Sequence, residues 1–127
     1  MTLGPIARTA LIKVPRMDVR LPTHLIVNAL IRRVQGEGGF VTVLASGERD
    51  AGTLLVVLTE GGANSRVYER MPQADGTRSW VLSRQENSDD KREFSEYLTR
   101  RSEQDPDVWV VELDIRNGER FILDDPA

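Results

Sequence analysis

The sequence predicts a single α+β domain in which an antiparallel sheet of five to six strands packs with two main helices. Its 127 residues amount to about one domain, enough to bury roughly two thirds of the surface that the unfolded chain exposes. Two segments carry apolar residues at helical spacing, and short apolar segments bounded by turn residues fill the remainder. The predicted order is α-β-β-β-β-α-β-β over residues 20–127, with residues 1–19 as an N-terminal extension or edge strand.

The first predicted helix begins at Thr23, a candidate N-cap next to Pro22, and ends at Gln35. Glycines directly after it supply the permissive backbone that ends a helix. Its apolar residues share one face: Val27, Leu30, Ile31 and Val34. The second helix is predicted from Ser88 to Arg101, where the apolar stripe is narrower.

The strands are predicted from alternating or continuous apolar segments. Four of them, at residues 40–45, 53–59, 66–71 and 78–84, are expected to form an antiparallel meander. Residues 53–59 are almost continuous Leu and Val, which is typical of a central strand covered on both faces. After the second helix, residues 108–115 place Trp109, Val111, Leu113 and Ile115 on one face. Asn117 and Gly118 then predict a two-residue hairpin turn into a last strand at residues 121–123.

Composition excludes several classes of function. The 17 basic and 20 acidic residues give a net charge of -3, which argues against the clustered basic footprint of a nucleic-acid binder. The sequence has no cysteine and one histidine, His24, so thiolate chemistry and histidine metal clusters are excluded. The glycine-rich segment 36–39 leaves a helix and enters a strand, the reverse of a phosphate-binding loop. We therefore predict no cofactor, no metal and no nucleic-acid partner.

The N-terminal segment predicts neither secretion nor membrane insertion. Its apolar run, residues 9–14, contains Lys13 and is too short for a signal peptide or a membrane span. A cytoplasmic protein is expected. Met17 precedes the first strongly patterned segment, so residues 1–16 are either an upstream extension of the reading frame or contain a short edge strand, Ala10 to Val14.

The most distinctive string runs from Asp105 to Glu112 and reads DPDVWVVE. Its carboxylates could bind a hard cation or act as an acid and base pair. The favoured interpretation is structural: Asp105 starts a turn before proline, Asp107 binds loop amides and Trp109 anchors a core strand. Arg33, at the boundary of the apolar face of the first helix, could pair with Asp105 or Asp107 as a clasp.

Two functions remain open on these residues. The leading prediction is a non-enzymatic interaction or self-association module, since no nucleophile, metal or phosphate motif is found and sheet edges accept partner strands. Its partner would be another protein or a second copy. The alternative is a small-ligand-binding or hydrolytic site built from Arg33, Asp105, Asp107 and Glu112, with Trp80 as an apolar wall. No catalytic residue is predicted.

The arrangement of these strings resembles a family of small, mainly alphaproteobacterial proteins known as a domain of unknown function. The similarity covers roughly residues 20–126. Residues 105–112 carry its most specific string, DPDxWxxE, and weaker matches lie at 29–33, 50–56, 78–80 and Gly118. The resemblance implies a compact cytoplasmic bacterial protein and supplies no activity or catalytic residue.

Overall fold

A computed structural model describes residues 21–72, 74 and 78–123. The possible edge strand at residues 10–14 and Met17 lie outside the described residues. In chain order the elements are α1 (Thr23–Gly36), β1 (Phe40–Ala45), β2 (Leu54–Glu60), β3 (Ala63–Pro72), β4 (Arg78–Gln85), α2 (Lys91–Gln104), β5 (Trp109–Asp114) and a 3₁₀ helix (Gly118–Phe121). The α+β class and the two main helices agree with the sequence prediction.

The five described strands form one mixed sheet in the order β1-β5-β2-β3-β4. Three neighbouring pairs are antiparallel, whereas β5 runs parallel to β2, from Leu54 opposite Trp109 to Thr59 opposite Asp114. The predicted four-stranded meander is therefore wrong at its first step, because β5 lies between β1 and β2. Strand β5 is buried at Trp109, Val110, Val111 and Leu113 and lies inside the sheet, while the more exposed β1 lies at an edge.

Strand β2 is the central strand of the sheet, as its composition predicts. Every residue from Leu54 to Thr59 is buried. Trp109 lies on the face of its strand that the period of two predicts. It shares this face with Val111 and Leu113, and Ile115 packs against the same cluster.

The two helices cover opposite faces of the sheet. Helix α1 and the 3₁₀ helix pack over one face, where the buried residues include Val27, Leu30, Val34, Leu54, Val56, Leu58, Trp109, Val111, Leu113, Phe121 and Ile122. Helix α2 packs over the other face, which buries Leu55, Val57, Val67, Phe94, Val108 and Val110. The core thus has two apolar layers separated by the sheet.

The predicted last strand is wrong, because the chain turns into the 3₁₀ helix at Gly118. Asn117 has φ 55°, in the left-handed region that asparagine tolerates, and precedes that helix rather than a hairpin. A Cβ at Gly118 would lie 3.0 Å from the Leu58 side chain, so a glycine suits this close approach. Phe121 and Ile122 are consecutive and both buried, a pattern that an alternating strand with one solvent face does not produce.

The ends of both helices differ slightly from the prediction. Pro22 occupies the N-cap position of α1, and the Thr23 hydroxyl donates instead to the carbonyl of Gly52, at 2.9 Å. Helix α2 begins and ends three residues later than expected. Residues 87–90 form a turn before it, in which the Asp90 amide donates to the Asn87 carbonyl.

Candidate functional site

The aspartates of the DPD string hold the loop that joins α2 to β5. The Asp105 carboxylate accepts the Asp107 amide at 3.0 Å, and the Asp105 carbonyl accepts the Val108 amide. The Asp107 carbonyl accepts the Glu48 amide from the loop between β1 and β2. This string therefore brings together the entrances of the two parallel central strands.

Arg33 lies elsewhere, and the predicted clasp is wrong. Its guanidinium donates to the Phe121 carbonyl at 3.2 Å and lies over the Phe121 ring, so it joins α1 to the 3₁₀ helix. The loop that contacts Asp107 is bonded instead to Thr23, at the opposite end of the fourteen-residue α1. A pairing with Asp105 or Asp107 is thus out of reach.

Trp80 and Glu112 lie on opposite faces of the sheet. Trp80, on β4, packs against the core beneath α1. Glu112, on β5, points to the side of α2, because it alternates with Val111 and Leu113. The five predicted site residues do not converge on one cavity. Within the described residues, no group of three or more acidic or histidine side chains is arranged to hold a metal ion.

A cavity of about 320 Å³ lies beside α2, on the face of the sheet where Glu112 is found. Its apolar wall includes Leu44 from β1 and Phe94 and Leu98 from α2, and Lys91 is also among its lining residues. Glu112 is the predicted site residue that lines it. Burial raises the pKa of the Glu112 carboxyl, and the neighbouring Asp114 carboxylate raises it further.

The edge formed by β1 is the second candidate. No described strand pairs with its outer side, since β1 bonds to β5 alone. Its six residues include no charge and no proline. Phe40 is 73% exposed and Val43 is 40% exposed. Natural sheets usually protect such an edge with charge, proline or a covering element.

A charged cluster that the sequence analysis missed joins β3 to the 3₁₀ helix. The Arg66 guanidinium makes two bonds of 2.7 Å to the Glu119 carboxylate, and the Tyr68 hydroxyl donates to the same carboxylate. These bonds lower the pKa of Glu119 to about 2. The two partners are 53 residues apart in the chain, so periodicity gives no sign of the pair.

Glu119→Gln is expected to destabilise the protein at neutral pH by about 2 kcal/mol, with less effect in acid. A carboxyl whose folded-state pKa is lowered from 4.5 to about 2 contributes its stability above pH 4.5 and loses it as pH falls toward 2. Urea unfolding at pH 7 and pH 3 measures the difference. The control is Glu96→Gln, in an exposed pair with Arg92, which should change little. An equal deficit of the Glu119 variant at both pH values would contradict the prediction.

The described residues thus form a mixed five-stranded sheet between two helical layers, in which no described strand pairs with the outer edge of β1 and a cavity lies beside that strand. The chain belongs to the family described as a protein of unknown function (DUF1491), whose model matches residues 21–123. This match confirms the resemblance to a domain of unknown function that was found in the sequence. No curated protein matches the chain.

Solved structures of similar proteins have the same fold. The crystal structure of a DUF1491 family protein from Caulobacter crescentus CB15 is 34% identical, with a TM-score of 0.70 over 81% of this chain and 95% of that chain. The NMR structure of a DUF1491 family protein from the same organism gives 32% identity and a TM-score of 0.70, over 82% and 94%. A protein from A. tumefaciens is 28% identical, with a TM-score of 0.64 over 86% and 98%. Neither described helix of this chain has the length and apolar character needed to cross a membrane.

Proposed function

We propose that this chain is a non-enzymatic interaction module that self-associates by pairing the outer edge of β1 with β1 of a second copy. The observation that carries the proposal is the uncharged, exposed edge itself. Backbone N–H and C=O groups along such an edge form a template for another strand. Two antiparallel β1 strands would extend the sheet across a two-fold axis.

The contrast between the two edges of the sheet favours β1. Strand β4, at the other edge, carries Arg78 and Arg84, and although Arg84 pairs with Glu93 of α2, this edge is charged. Strand β1 brings no charge to the seam.

A second copy is the favoured occupant because a two-fold interface uses the same patch twice. Pairing β1 with itself places uncharged side chains opposite uncharged side chains and covers the exposed Phe40. The register of β1 against β5 shifts between Val43 and Ala45, so regular pairing is expected along residues 40–43. We place this assembly in the bacterial cytoplasm, as the family resemblance found in the sequence implies.

Val43→Lys is expected to abolish the dimer. A symmetric seam along residues 40–43 would hold both introduced ammonium groups, and a lysine on an edge strand opposes pairing. The matched control is Val81→Lys on β4, because Val81 is 44% exposed and Val43 is 40% exposed. Sedimentation velocity over a range of concentrations measures the association state of each protein.

The expected result is a concentration-dependent dimer for the parent and for Val81→Lys, and a folded monomer for Val43→Lys. Equal melting temperatures of the two variants would show that the lost association is not due to unfolding. A parent that remains monomeric throughout, or a Val81→Lys variant that dissociates as readily as Val43→Lys, would overturn the proposal.

A further inference from the structure

The cavity between α2 and the sheet contains a carboxylate with no protein partner among the described residues. Glu112 is only partly exposed, and its carboxylate makes no hydrogen bond or ion pair with any described residue. On the neighbouring strand β1 it faces the uncharged Thr42. A partly buried carboxylate is normally paired or hydrogen-bonded, since burial without a partner is unfavourable.

Three other polar residues of the cavity are hydrogen-bonded within the protein. The Ser65 hydroxyl donates to the Thr59 hydroxyl at 3.1 Å, and the Thr59 hydroxyl donates to the Ala63 carbonyl. The Glu86 carboxylate accepts the Ser65 amide. Among the described residues, Glu112 is therefore the carboxylate of this cavity that accepts no hydrogen bond.

The charges around the cavity favour a cation. Glu86 and Glu112 contribute two negative charges and Lys91 contributes one positive charge. The apolar wall of Phe94 and Leu98 adds a second requirement, because it favours a ligand with a hydrocarbon part. A volume of about 320 Å³ lies at the lower end of the range for small-molecule sites.

We infer that this cavity binds a small primary amine, whose ammonium group pairs with the Glu112 carboxylate and whose apolar part packs against Phe94 and Leu98. An ammonium group has three donors and suits an unpaired carboxylate. Amine binding is independent of strand pairing at β1, because the Val43→Lys variant retains Glu112, Phe94 and Leu98.

The test uses three probes of similar shape and different charge: phenethylamine, 2-phenylethanol and 3-phenylpropionate. Amide chemical shifts of the full-length protein are followed by NMR during titration with each. Phenethylamine is expected to give saturable shifts at residues around the cavity, and the neutral and anionic probes should bind at least about tenfold more weakly.

Glu112→Gln keeps the shape of the side chain and removes its charge, so amine affinity should fall about tenfold or more. Glu96→Gln, on the exposed side of α2, is the matched control and should bind as the parent does. The melting temperature of each variant shows that it is folded. Equal affinity of the alcohol and the amine, unchanged binding in Glu112→Gln, or no saturable shift with phenethylamine would overturn the inference.

A second measurement on the parent protein needs no substitution. Since burial raises the pKa of Glu112, amine binding should strengthen as pH rises through that value, where the carboxyl loses its proton. The charged groups near Glu112 are Asp114 on its own strand, Glu86 after β4 and Lys91 on α2. Glu112→Gln should flatten this pH dependence, whereas Glu96→Gln should leave it unchanged. An affinity of the parent that does not vary with pH in this range would contradict the inference.

Discussion

Trp109→Ala is expected to lower the free energy of unfolding by about 3 to 5 kcal/mol, a large share of the roughly 5 to 15 kcal/mol that stabilises a domain of this size. Trp109 is 9% exposed. It is the first residue of β5 and lies opposite Leu54 of β2. Its removal would leave a large cavity beneath α1. The indole N–H also donates to the Glu48 carbonyl at 2.7 Å, so the variant loses a bond to the loop between β1 and β2.

Urea denaturation measures this effect, with the second tryptophan as a control. Trp80→Ala should cost less, because Trp80 is half-buried on the edge strand β4. Trp109→Phe retains an aromatic ring and lacks the N–H donor, so it should lose less than the alanine variant. If Trp109→Ala kept the denaturation midpoint of the parent, the burial of Trp109 and its place in the core would be wrong.

Local patterns in the sequence predict those parts of the fold that depend on burial. The continuous Leu and Val residues of β2 predict a central strand because only a strand covered on both faces tolerates them. The apolar residues from Val27 to Val34 recur at helical spacing and predict α1, because only one face of this helix lies on the sheet. The side chains of a strand alternate with a period of two, and this alternation predicts the face of β5 on which Trp109 lies.

The order of strands depends on pairings distant in sequence and was not predictable in this way. Strand β5 has the same apolar character whether it pairs with β1, with β2 or with both. A sequence of short strands and turns favours a meander, and only the three-dimensional packing places β5 between β1 and β2. The Asn117-Gly118 pair misled for a local reason, because a left-handed asparagine is typical of a two-residue hairpin turn and here it lies directly before a 3₁₀ helix.

The candidate sites were predictable in part. A free sheet edge was expected in general terms, yet the position of β1 at that edge depends on where β5 inserts. The period of two in β5 places Glu112 on the face opposite Trp109, and the structure adds the cavity that Glu112 lines. Arg33 was assigned to the wrong partner because its position in the sequence fixes its place on α1 but does not show which other segment of the chain packs beside that end of the helix.

Gly47→Ala is the second substitution expected to have a large effect, at about 3 kcal/mol or more. A Cβ at this position would lie 2.0 Å from the Asp107 carbonyl oxygen and 2.6 Å from the carbonyl carbon of Val108. Both are backbone atoms at the entrance to β5, so the clash cannot be relieved by a side-chain rotation. Relief requires the loop between β1 and β2 to move away, which would also stretch the bond between the Glu48 amide and the Asp107 carbonyl.

The matched control is Gly36→Ala, at the end of α1, where a Cβ meets no atom within 4 Å and the backbone φ is not positive. Alanine has the higher helix propensity, so this variant should match or slightly exceed the parent in stability. Gly52→Ala provides an independent check, because its Cβ would lie 2.2 Å from the same Asp107 carbonyl oxygen. Urea midpoints should therefore fall for both loop variants and not for Gly36→Ala. A Gly47→Ala protein as stable as the parent would show that the DPD string does not hold this loop against β5.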